Sequence, residues 1–371
     1  MPTRTENLTA MCNSVCYKAD ELKGGSVVKK NGRTKQYAGG YKNVYPFTNK
    51  NGDMVAVCCF CANIDQAKER SQRISEFLAK DKSHYFVNFK YVSNALLVLG
   101  VLQPVVIMDW VDGQTLKNYV SSQKLSPQLF LDLAEKFLQM VKYLHSKNMA
   151  HGDLQHGNIM IRSNGSMALI DYDSMYIDDL NGMTDVVKGL PGYQHPARAK
   201  NRLLTPKLDY FSELIIYLSL HIFAENPKLW DEYVDTEDFL FSAADFTNIQ
   251  QSKLYKQYYN SANPTIRQLM QQLEVALSKD DINDLSPLEV LLGDTSNVLM
   301  PVNTTVQMGV DVERILSKVV VKPRPAAAEP QLPDIAAILK KIDNLVIAVE
   351  THRKMPEIDI RKIIEKFSKS A

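Results

Sequence analysis

Two short segments hold the residues best placed to do chemistry, HGDLQHGNIMI at 151–161 and LIDYDSM at 169–175. Each supplies a carboxylate beside a short apolar strand, Asp153 and Asp171, and the first adds an amide, Asn158, five residues on. That set suits phosphoryl transfer. One carboxylate can accept or orient the proton of an attacking hydroxyl. The amide and the second carboxylate can hold Mg²⁺ against phosphates, because Mg²⁺ prefers such oxygens. An aspartate at a strand end is also a common turn former, so the case rests on the joint spacing of the three.

The surrounding pattern says what must position them. Strand-like runs come first: QYAGGYKNVYPF (36–47), MVAVCCFC (54–61), NALLVLGV and PVVIMDWV, with a hairpin signal in TNKNGD and a turn expected near Gln103-Pro104. An amphipathic helix is expected over 64–80, with Ile74, Phe77 and Leu78 as its apolar face. After Gly113 the period turns helical. The stretch 126–148 opens on Ser126 and Pro127, a cap and first-turn pair, and 208–223 is nearly all apolar and so reads as a buried helix. A third helix is expected over 263–279. The fold class is α+β: a small β-rich lobe and a larger helical lobe around a cleft.

The expected divisions are an N-terminal extension (1–35), a β-rich lobe (36–110), a helical lobe (111–280), a Pro/Ala-rich linker segment (281–333) and a helical tail (334–371). In the tail Ile335, Ile338, Ile342, Leu345 and Val349 form a heptad seam of barely two repeats. That seam suits self-association or docking through 334–369.

The 371 residues carry 43 Lys plus Arg against 42 Asp plus Glu, a formal charge of +1. So even a balance supplies no field for nucleic acid or an anionic membrane, and neither is expected as a partner. Five cysteines without a framework spacing suggest reduced thiols, and a cytoplasmic location is expected.

The motifs resemble the protein-kinase superfamily. HGDLQHGN resembles the HRDxxxxN catalytic loop, and Asp171-Tyr172-Asp173 resembles DFG. GLPGYQHPA (189–197) resembles the end of an activation segment, LDYFSEL (208–214) the family's buried F-helix motif, and VVIMDWVDGQTL (105–116) its hinge. The whole is similar to a bacterial kinase-like group with HGDLQHGN and YQHP signatures. The resemblance implies a bilobal kinase fold, with ATP and Mg²⁺ as cofactors. It makes Asp153 the catalytic base, Asn158 and Asp171 the metal ligands, and Asp209 a brace for the catalytic loop. It gives the nucleotide Gly39, Gly40, Val44, Ala56, the gatekeeper Met108, the main chain of Asp109 and Val111, and Gln155.

One expected residue is missing. MVAVCC places Cys58 where the family has its phosphate-binding lysine. A neutral thiol cannot replace an ammonium. Strand alternation puts Lys42, two residues before Val44, on the cleft face of the neighbouring strand. The arrangement is similar to the with-no-lysine kinases and makes Lys42 the catalytic lysine. Its glutamate partner should come from the helix near residues 73–74, where none stands; Glu69 and Glu76 flank the position.

Other departures are Gly152 for the Arg of HRD, Gln155 for a lysine, and paired changes at Ala197 and Asn263. Ser174, Tyr176 and Thr184 are candidate phosphosites, and His195, Arg198, Lys200 and Arg202 read as a solvated basic edge. The leading expectation is an ATP- and Mg²⁺-dependent protein Ser/Thr kinase. The alternatives are a pseudokinase scaffold and a small-molecule kinase of the aminoglycoside type.

Overall fold

A computed structural model describes residues 1–39, 41–62 and 66–293. Gly40, most of the 281–333 segment and the 334–371 tail lie outside the described residues.

The strands are β1 (Ser26–Val27), β2 (Lys29–Lys30), β3 (Arg33–Thr34), β4 (Tyr37–Ala38), β5 (Lys42–Thr48), β6 (Met54–Phe60), β7 (Phe89–Val98), β8 (Val101–Asp109), β9 (Gly113–Thr115), β10 (Ile159–Arg162) and β11 (Met167–Leu169). The helices are α1 (Arg4–Met11), α2 (Ala67–Leu78), α3 (Leu116–Ser122), α4 (Pro127–Ser146), α5 (Tyr210–Glu225), α6 (Leu229–Tyr233), α7 (Ala243–Thr247), α8 (Lys253–Tyr258), α9 (Pro264–Leu277) and α10 (Leu288–Leu291). The main sheet runs β1-β5-β6-β8-β7, with β4 also on β5. The curled sheet and the helices that follow make an α+β, two-lobed fold.

Alternation along β5 and β6 sorts the sheet's faces. Tyr45, Phe47, Val57 and Cys59 face outward, yet they are buried. Residues 1–35 cover them: Met11, Tyr17 and Leu22 pack onto that face. Each such side chain taken from water contributes about 1.5–3 kcal/mol, enough to hold a segment whose overall composition is polar. Thr3 and Glu6 cap α1 reciprocally.

The turn expected at Gln103-Pro104 is instead at Leu99 and Gly100, both at positive φ. Pro104 sits inside β8, opposite the register shift between Val92 and Leu96 of β7. A bulge is where a strand tolerates a residue without an N–H.

In the helical half, Ser126 Oγ accepts from Leu129 N and Pro127 opens α4, as the cap pattern requires. Helix α5 is buried nearly all round. Its preceding residue, Asp209, does not cap it, and its carboxylate is used elsewhere. Between α4, α5 and α10 lies a buried ionic triad. His145 Nε2 is 2.9 Å from Glu213 and Nδ1 is 2.8 Å from Glu289, so both ring N–H groups donate. Burial pulls the imidazole's pKa down, but the two carboxylates more than reverse this and hold it at about 10.

The folded protein therefore keeps a proton that the unfolded chain gives up near 6.5. This stabilisation is complete below that pH and is lost as pH rises through the folded value. Melting followed across this range is expected to show stability falling with pH. In His145→Gln that slope should flatten, at a cost of about 3 kcal/mol for two stranded carboxylates.

Candidate active site

The register of one hairpin assembles the site. Ile159 of β10 pairs with Leu169 of β11. Asn158 precedes the first strand and Asp171 follows the second, and Ile170 N donates to Asn158 O at 3.0 Å. The amide and the carboxylate are thus brought together by strand pairing. Asp153 joins them through the loop: Asn158 Nδ2 donates to its main-chain oxygen at 2.8 Å and to Oδ2 at 3.2 Å.

Two buried groups fix the loop from behind. Asp209 accepts from His151 N and, at 2.8 Å, from Gly152 N. His151 is hydrogen-bonded to Ile170 O at 2.9 Å. Gly152 has φ +78, and a Cβ there would lie 2.1 Å from Ser174 O. Arginine, which the family has at this position, cannot be placed on that backbone. In front, Leu190 N donates to Asp153 Oδ1 at 3.2 Å, which ties the activation segment to the carboxylate.

These groups open on a cavity of about 750 Å³ between the lobes, within the size range of small-molecule sites. Gly39, Val44, Ala56, Met108, Asp109 and Val111 line it together with Lys42, Asp153, Asn158 and Asp171. Gln155 is not among the lining residues. Its Oε1 accepts from Gly157 N at 2.6 Å, so the amide folds back on its own loop instead of reaching a nucleotide. Its neutral head can satisfy a turn N–H, which a lysine could not.

Lys42 does enter the cleft. Its buried ammonium forms an ion pair with Asp173 and sits 4.8 Å over the Phe60 ring. Burial lowers its pKa, but the acidic groups around it, Asp173 foremost, together outweigh this and the net shift is upward. Cys58 shares the wall, paired across the strands with Val44. Burial pushes its thiol to about 12, so it is neutral.

Neither flanking glutamate meets Lys42. Glu69 pairs with Arg73 at 2.5 Å and Glu76 accepts from Gln72 at 3.0 Å, both on the exposed side of α2. The buried face presents Arg70 and Ser71. Arg70 donates to Asp173 O at 3.0 Å and Thr184 O at 2.6 Å. The apolar period of α2 located the helix but concealed a charged residue four positions before Ile74. Asp171 is itself exposed on the cleft, yet desolvation by the surrounding walls, then the neighbouring Asp173, pushes it up to about 6.

The basic edge expected after the activation segment is partly an interior. Arg198 is 1 % exposed and pairs with Asp185 at 3.2 Å; it also donates to Gln194 and to Val187 O. Buried His195 is hydrogen-bonded to Ala276 O at 3.0 Å. Asn263 caps α9 by accepting from Thr265 and Ile266. Of the three hydroxyl candidates, Ser174 and Tyr176 are buried and Thr184 is exposed. Arg198→Ala would leave buried Asp185 with Lys188, at 3.0 Å, as its remaining cation, beside the Asn201 amide. A loss of about 2–3 kcal/mol, from lost packing and half-lost pairing, is expected in denaturant unfolding, with early proteolysis between residues 184 and 203.

Residues 38–287 match the protein kinase domain family. The chain belongs to the protein kinase family. Similar proteins include a probable serine/threonine-protein kinase of Streptomyces coelicolor, 27% identical over 182 residues, covering 47% of this chain and 27% of that protein. A serine/threonine-protein kinase of Saccharomyces cerevisiae is 25% identical over 229 residues, covering 61% of this chain and 23% of its own length. One from Candida albicans is 26% identical over 161 residues, covering 43% of this chain and 13% of its own. The chain thus spans less than a third of the length of these relatives. Among its departures from the family pattern, Gly152 and Gln155 have a local physical cause in the structure. Among the described residues no helix is long and apolar enough to cross a membrane.

Proposed function

We propose that the protein transfers the γ-phosphoryl group of ATP to a hydroxyl of a protein serine or threonine, with Lys42 as the phosphate-binding lysine. The observation that carries this is the convergence of Lys42, Asp153, Asn158 and Asp171 on one cleft. The adenine would lie between Val44, Ala56 and Met108, with its polar edge toward the main chain of Asp109 and Val111. The ammonium of Lys42 would meet the phosphates, and Asp153 would orient the acceptor hydroxyl. A protein acceptor is favoured by the GLPGY segment, whose Leu190 contacts Asp153, and by the serine/threonine specificity in the relatives' names.

The donor set also fits Mg²⁺. Among the described residues no three His, Cys, Asp or Glu side chains form a closed metal cage. An amide and a carboxylate are what Mg²⁺ takes from protein when phosphates and waters complete its octahedron. Asn158 Nδ2 is spent on Asp153, so the amide oxygen is the atom offered to a cation. A bound Mg²⁺ would neutralise charge on the phosphates, and it would relieve the repulsion between Asp171 and Asp173.

Transfer from labelled ATP to the protein itself and to generic protein substrates tests the proposal. Asp171→Asn should lower transfer at least about a hundredfold. No transfer by the wild type to any protein acceptor would count against it and in favour of a scaffold.

A further inference from the structure

We infer that Asp173 is the residue that positions Lys42, and that α2 acts on the lysine only through it. This rests on reading Lys42 as the phosphate-binding lysine.

The ion pair joins β5 to the segment after β11, residues 131 positions apart. An ammonium buried to this degree needs a partner, since an unpaired charge there would be strongly unfavourable. Among the described residues of α2, none on the buried face carries a carboxylate; Arg70, Ser71, Ile74 and Leu78 occupy it. Asp173 fills the need, with its side chain still about one-fifth exposed toward the cleft. It stands where the DFG pattern has glycine, two residues beyond Asp171. One short segment therefore carries both the proposed metal ligand and the anchor of the lysine.

Arg70 completes the linkage. It donates to the carbonyl of Asp173 and to that of Thr184. Helix α2 thus grips the backbone on which the anchor stands, together with the middle of the activation segment. A shift of α2 would move Asp173 and that segment as one, and the lysine would follow its carboxylate.

A double-mutant cycle on turnover, with nucleotide affinity measured in parallel by a fluorescent ATP analogue, tests this. Asp173→Asn is nearly isosteric. In the wild-type background it should lower kcat about tenfold or more without weakening nucleotide binding, because a negative charge has left the neighbourhood of the phosphates. In the Lys42→Met background the same change should alter the residual kcat by less than about twofold. Equal losses in both backgrounds would mark a general structural role and overturn the inference. So would an unchanged or raised kcat in Asp173→Asn, the latter marking the pair as a restraint on Lys42. If Lys42→Met itself keeps wild-type turnover, the underlying reading of the lysine fails instead.

Discussion

Lys42→Met should lose about 10²–10³-fold in phosphate transfer, while Cys58→Ala stays within about threefold of the wild type. The asymmetry follows from two side chains on one wall. The buried ammonium of Lys42 lines the cleft and its paired carboxylate helps hold it charged. The thiol of Cys58, pushed up to about 12, is neutral and short. Methionine keeps the length and the apolar stem of lysine, including its packing near Phe60, and removes only the charge. The readout is labelled phosphate incorporated per minute at saturating ATP with Mg²⁺. Retention of transfer in Lys42→Met, or its loss in Cys58→Ala, would sink the relocated-lysine reading.

The second large effect concerns Gly152. Replacement by alanine should destabilise the protein by about 3 kcal/mol, and replacement by arginine should cost at least as much. Positive φ alone accounts for only part of this. Gly182 has a similar φ of +83 with nothing near its missing Cβ, whereas at Gly152 the added carbon would meet Ser174 O at 2.1 Å. Gly182→Ala is therefore the control. It should cost about 1 kcal/mol, and the difference between the two variants measures the clash. Because the N–H of Gly152 is one of two that satisfy Asp209, any backbone shift there also loosens the buried brace of the catalytic loop. Equal melting temperatures for the two alanine variants would contradict this account.

The sequence made the cleft's lower half legible because local register controls it. Asn158 and Asp171 are separated by a hairpin, and any sequence that forms β10 and β11 in that pairing brings them together. Lys42 could be found in the same way, by counting faces along a strand. Its partner could not. The distance from Lys42 to Asp173 is set by how the sheet sits over the activation segment, and no periodicity records that. A charged residue in the glycine position of a DFG-like triplet was the available signal. Arg198 illustrates the opposite error. In a run with Lys200 and Arg202 it looks like surface, and only the arrival of Asp185 from the activation segment makes its burial tolerable. Residues 1–35 hid for a related reason: their few apolar side chains, Met11, Tyr17 and Leu22, are scattered without a period and gain meaning only against the outer face of the sheet.

The tie between His145 and Glu289 bears on where this protein can be shortened. The family match stops at residue 287, and Glu289 lies just past it. A chain cut at that boundary keeps every residue proposed for chemistry, yet it leaves an imidazolium facing one carboxylate in a space built for two. It also removes Leu288, which is fully buried. The length that evolution shares among relatives and the length that can stand alone are therefore different here. The second runs at least through the end of α10.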